Sequence, residues 1–190
     1  MPLSEAVARK PMHKRSIEMR GYFRDDGLWD IEGFLLDTKP FDYHDARGRL
    51  KQAGSPVHQM SIRLTVDQRR TIVAAEAAID SAPHPSCFDV NAGIQAMVGA
   101  RVASGWKEEV RRRLPERAAC THLSELLVTM ATAIFQTQTL GTNPEGSAPF
   151  EALRNGERIP FFLDKCASWR LDSENVAELF PQWHTLPSGE

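Results

Sequence analysis

Apolar and polar positions alternate most cleanly between Val57 and Val66. His58, Met60, Ile62, Leu64 and Val66 share one face there, and Val57, Gln59, Ser61, Arg63 and Thr65 share the other. A period of two marks a strand with one buried face, so His58 falls on the apolar side. Upstream, Ile17 to Arg24 and Leu28 to Asp37 flank Asp25-Asp26-Gly27, a turn signal that predicts a hairpin. In its second arm Trp29, Ile31, Gly33 and Leu35 fall on one side. Leu28, Asp30, Glu32, Phe34 and Leu36 fall on the other, a mixture of acids and apolars that suits the border of a cleft. After Thr121 the period becomes helical. Leu123, Leu126, Leu127, Met130, Ala131, Ile134 and Phe135 form one stripe, with Thr121 as N-cap and the end near residue 140. Shorter helices are predicted from Asp67 to Asp80, around residues 86–98 with Gly99 as stop, and from Gly105-Trp106 to Leu114.

Residues 44–56 read as exposed and polar, and Gly141 to Pro149 as a flexible link. Beyond it, Ile159 to Cys166 and Ala167 to Leu171 look strand-like. Asp172 to Asn175 reads as a turn, with an edge segment at Val176 to Phe180. Strands first and helices after predict an α+β fold. Its antiparallel sheet is the N-terminal hairpin plus a third strand, open to extension by a C-terminal hairpin, packed on a helical layer. The expected organisation is a flexible arm at 1–14, one domain over 15–180 and a tail at 181–190.

Composition adds bounds. The chain has 190 residues, 42% hydrophobic and 25% charged, enough for one domain with a real core. A net charge of −2 gives no whole-protein case for nucleic acid, and Arg9-Lys10, Lys14-Arg15 and Arg111-Arg112-Arg113 read as solvated faces. No apolar run approaches the ~20 residues of a membrane span. A polar N-terminus without an apolar signal core, and only three cysteines, predict a reduced cytoplasmic setting. A homodimer is left open.

The candidate chemistry gathers at Cys120-Thr121-His122-Leu123-Ser124-Glu125-Leu126. His122 and Glu125 lie three apart on one helix face, so the carboxylate can orient the imidazole as a general base. The positive end of the helix would stabilise a thiolate or a bound anion. His58 joins this pair if its strand packs under the long helix. Tyr43 and Lys39 are candidate acids. Arg24 and Arg63 can grip a substrate carboxylate, Trp29 can stack on an aromatic ring, and Asp37 can hydrogen-bond a substrate. Each of these also has an ordinary structural use, in caps, core and surface ion pairs. His58, Cys87, Cys120 and His122 are zinc-ligand types at poor spacing, so no metal and no cofactor are expected.

Arg24-Asp25-Asp26-Gly27-Leu28-Trp29-Asp30, Asp37-Thr38-Lys39, Val57-His58-Gln59-Met60, Gly105-Trp106 and Cys120 to Leu126 follow one another in that order. With them, most of residues 15–180 resembles an uncharacterised bacterial domain family of unknown function. Some similar proteins, from bacteria that degrade lignin-derived aromatics, are γ-formaldehyde lyases acting on phenylcoumaran-type dimers. The resemblance therefore implies a cofactor-independent lyase with a small aromatic substrate. The alternative is a non-catalytic small-molecule-binding or accessory protein of aromatic catabolism.

Overall fold

The turn Asp25-Asp26-Gly27 closes the first hairpin. Gly27 takes a left-handed φ of 80° and donates its N–H to the Arg24 carbonyl at 3.0 Å. The structure, a computed structural model, describes residues 3–139, 153–156, 159–160 and 162–185. The chain divides into two compact units, Met1–Gln138 and Thr139–Glu190.

The first unit contains β1 (Lys14–Phe23), β2 (Trp29–Thr38), β3 (Tyr43–His44), β4 (Leu50–Lys51), β5 (Pro56–Val66), β6 (Ile72–Ser81), α1 (Trp106–Arg113) and α2 (Thr121–Thr139). Four strands form one antiparallel sheet in the order β1-β2-β5-β6, and β3 with β4 makes a small separate ribbon. The expected α+β arrangement is present, and the sheet is open.

One element differs in kind. The helix expected from Asp67 is a tight turn followed by β6. Asp67 Oδ1 accepts from the N–H groups of Arg69 and Thr71, both at 2.8 Å. That is the chemistry of a helix cap, used here to close a hairpin between β5 and β6. Arg70 sits in the turn with φ 63°, where a helix cannot continue. Near residues 86–98 the chain forms a 3-10 segment, Pro85–Met97, and Gly99 turns it back at φ 80°. The return strand of chain then pairs with the start of β6: Ile72 N–H donates to Ala100 and Gly99 N–H to Ile72, both at 2.8 Å.

The inner face of the sheet is the one the alternation predicts. Trp29, Ile31 and Leu35 of β2 and Met60, Ile62, Leu64 and Val66 of β5 are buried against Leu123, Leu126, Leu127, Met130 and Ile134 of α2. Full burial of each such side chain contributes about 1.5–3 kcal/mol. Two glycines let the helix come close. A Cβ on Gly21 would run into the Thr137 side chain, and one on Gly33 would meet Met19 and Met130. Trp106 docks α1 onto α2 by donating its buried Nε1–H to the Leu127 carbonyl at 2.9 Å. The α2 start lies one residue earlier than the capping pattern implies. Ser124 N–H bonds the Cys120 carbonyl, so Thr121 is already the first helical residue.

In the second unit the strands expected over 159–180 are not formed among the described residues. Ala167–Trp169 and Pro181–Trp183 are 3-10 turns, and α3 spans Glu174–Leu179. Ser173 caps α3 by accepting from Val176 N–H, and Glu174 adds an acid to its first turn. Val176 and Phe180, four apart, are buried with Leu163 in a small apolar cluster. The Gly141–Pro149 link lies outside the described residues. Among the described residues no helix is long and apolar enough to cross a membrane.

Candidate active site

Antiparallel register sets Arg15 of β1 opposite Asp37 of β2, and Asp37 opposite His58 of β5. The three therefore form one row across three adjacent strands, all on the inner face. Asp37 extends the series Trp29, Ile31, Gly33, Leu35, and is 1% exposed. Its carboxylate is gripped in bidentate fashion: Arg15 Nε donates to Oδ1 and Nη2 to Oδ2, each at 2.8 Å. His58 Nδ1 lies 3.0 Å from Oδ2. An ionised carboxylate only accepts, so this ring nitrogen carries the proton and Nε2 is left for other chemistry. His13, in the segment before β1, brings Nε2 to 3.3 Å from Oδ1.

The first turn of α2 closes over the row. His122 stacks on His58 with ring centroids 4.0 Å apart and planes inclined by 34°. Its Nε2 is 3.8 Å from Asp37 Oδ2, and its Nδ1 is 3.9 Å from Cys120 Sγ. The two histidines that the sequence could only associate conditionally thus share one small volume. Both keep partial access to solvent, at 19% and 24% of the side chain.

The electrostatics separate these groups. Burial alone would push the Asp37 carboxyl up; the hydrogen bonds and charge of Arg15, then His58 and His13, outweigh it and hold it below the usual range. Hydrogen bonding to Asp37 pushes the Arg15 guanidinium further up. His122 is shifted down, first by burial and then by the charges of His58 and Arg15, against the opposing pull of Asp37 and Glu125. At neutral pH it is an uncharged imidazole beside a fixed ion pair.

Glu125 reaches this cluster by a different route from the expected one. It is 54% exposed and accepts from Arg15 Nη1 at 2.9 Å, so it braces the arginine, while Asp37 is the carboxylate nearest the imidazoles. Arg15, read from sequence as part of a solvated run, is the central clamp. Parity puts Arg15 on one face with Ile17 and Met19, but only the register of β1 on β2 sets it opposite Asp37.

The remaining candidates lie elsewhere. Arg24 bonds Asp26, Asp30 and Thr65. Trp29 is a core residue eight positions from Asp37, about 27 Å along the strand. Arg63 is on the outer face of the sheet, paired with Glu32 and Glu76. It borders a hollow of about 210 Å³ with Glu32, Phe34, Ser61 and Glu76. The histidine pair does not line that hollow. Lys39 holds its ammonium 5.5 Å from the Tyr43 ring centroid and 5.7 Å from that of Phe41, a cation–π group of its own.

Asp37, His58 and His122 each offer one atom that could ligate a metal ion, all within 4.8 Å of one another. The set is two imidazoles and a carboxylate, and neither Cys87 nor Cys120 belongs to it. An ion there would compete with Arg15 and with the His58 proton for the same two oxygens.

No curated protein and no solved structure matches the chain. One family profile does, over residues 13–136, an interval that runs from His13 through the whole row to the last turns of α2. The chain belongs to that family, described as a protein of unknown function (DUF2889).

Proposed function

We propose that this protein is a cofactor-independent carbon–carbon lyase that releases formaldehyde from the γ-hydroxymethyl group of a lignin-derived, phenylcoumaran-type aromatic dimer. The substrate class comes from the resemblance noted above. The observation that carries the reaction type is the stacked His58–His122 pair on one buried carboxylate. Opening the aryl ether, driven by the para-phenol, needs a proton on the departing oxygen and leaves a quinone methide. Breaking the bond to the γ-carbon then needs a base for the γ-hydroxyl proton. The bond's electron pair moves into the quinone methide, giving an alkene and a phenolate, and formaldehyde leaves. The phenolate takes back the proton that the para-phenol gave up when the quinone methide formed, so one neutral substrate becomes two neutral products, with no oxidant or reductant.

Two proton carriers side by side suit this sequence. His122, uncharged at neutral pH, takes the γ-hydroxyl proton. His58 delivers the proton to the ether oxygen, and Asp37 stabilises its imidazolium form. One proton passing between the rings restores the starting state. Formaldehyde release from a phenylcoumaran dimer should fall about 100-fold or more in His122→Ala and His58→Ala. Arg63→Ala, on the outer face, should retain it. Undiminished release by folded His122→Ala, or none from the wild type, would refute the assignment. A metal-dependent reaction is the second reading, favoured by the spacing of Asp37, His58 and His122. One tightly held Zn²⁺ per chain, lost together with activity in Asp37→Asn, would establish it instead.

A further inference from the structure

The two edges of the sheet are treated differently. The start of β6 is paired with the return segment through Ile72, Gly99 and Ala100, whereas β1 ends the strand order. All ten β1 residues pair with β2 in unbroken register, and nine of the ten are exposed. Ile17, Tyr22 and Phe23 are 44%, 45% and 52% exposed. A straight edge of this length, with no proline and no bulge, is a template for another strand.

We infer that β1 is the seam of a homodimer, in which β1 of a second copy adds antiparallel to it across a two-fold axis, centred on Met19. Charge selects this register. A two-fold pairing keeps each face of the sheet on its own side, so neighbouring registers differ by whole steps of the alternation. Centring on Glu18 sets Glu18 against Glu18, and centring on Arg20 sets Arg20 against Arg20. Centring on Met19 sets Glu18 opposite Arg20 twice. Glu18 already accepts from Arg20 of its own strand at 2.8 Å, so the seam becomes a ring of four alternating charges.

The helices agree with this arrangement. Glu125 contacts Arg15, Met130 packs near Gly33, and Thr137 packs near Gly21. So α2 runs along β1 and β2 and lies between them. With strands about 4.8 Å apart, the two α2 helices come about 10 Å from each other, a normal packing distance. Thr129, Ala133 and Gln136 lie on that flank, and none of them is buried. The same register sets Phe23 of the second copy opposite Arg15. Its ring then covers the guanidinium that clamps Asp37, on the side where the row is open.

Sedimentation of the full chain tests the seam. The wild type should be a dimer. Glu18→Arg and Arg20→Glu, both at exposed positions, should each weaken it by about 10–30-fold, since two attractive pairs become repulsive. The double exchange, Glu18→Arg with Arg20→Glu, should recover wild-type association. Amide exchange along β1 in the wild type should slow with rising protein concentration. A monomer, including one whose β1 edge is covered by residues 139–190, overturns the inference. So does a dimer indifferent to both single exchanges.

Discussion

Replacing Asp37 by Asn keeps the shape of the side chain and removes the charge on which four cationic or titratable groups converge. Arg15 holds this carboxylate by two bonds of 2.8 Å, with His58 at 3.0 Å and His13 at 3.3 Å. Removing one partner of a fully buried ion pair costs about 3–5 kcal/mol. Arg15 is 32% exposed, so water recovers part of the loss, and its bond to Glu125 survives. About 2–3 kcal/mol remains. In a unit of this size each kcal/mol moves the midpoint by about 3–4 °C, so the variant should melt about 6–12 °C below the wild type. The pH dependence has a definite sign. The folded-state value of Asp37 lies below the ordinary 3.8 of an aspartate, so its contribution is fully present above that value. It disappears as pH falls through the lower folded value. Urea melts across a pH series should therefore show a gap between the two proteins that holds at neutral pH and closes in acid. A variant melting within about 2 °C of the wild type at neutral pH would refute the reasoning, because the clamp would then contribute little.

The other outcomes concern His122 and the helix–sheet contact. The His122 ring should titrate below 6.5 in the folded protein by NMR, since burial and then His58 and Arg15 oppose its charge. Its stability contribution is present above 6.5 and is lost as pH falls through the lower folded value, so His122→Gln should flatten that part of the stability profile. Gly21→Ala should cost about 1–3 kcal/mol by driving a methyl group into Thr137, and most of that cost should vanish in a Thr137→Ala background. Strictly additive losses in that cycle would show that the contact is not the cause.

Much of the sheet was legible because β2 and β5 are half-buried and carry their alternation openly. The faces read from Trp29 to Leu35 and from His58 to Val66 are the faces found. β6 was not legible. Its Ala74-Ala75-Glu76-Ala77-Ala78 centre has the composition of a helix, and Asp67 offers a capping side chain just upstream. Tertiary pairing with β5 overrides that local preference. The second unit failed for the converse reason. Val176 and Phe180 are spaced for a helix and Ser173 caps it, but the segment is only six residues long and its period is hard to see. At the site, His122 and His58 could be nominated from their elements. Arg15 and the central place of Asp37 could not, because a row across three strands depends on register, and register is a property of pairing between segments distant in sequence.

The row also has a boundary. Pairing between β2 and β5 is regular through Asp37 and His58, then breaks, with Thr38 opposite Pro56. The extra residue, Val57, takes up the mismatch between the sheet and the excursion that carries β3 and β4. Beyond the shift the chain closes again, with Gly54 N–H donating to the Lys39 carbonyl at 2.8 Å, so the excursion has a register of its own. Lengthening, shortening or exchanging the chain between Pro40 and Ser55 would be absorbed there, leaving the imidazoles and their carboxylate in place. The excursion is therefore free to vary in sequence while the pairing of β1, β2 and β5 fixes what the row itself contains.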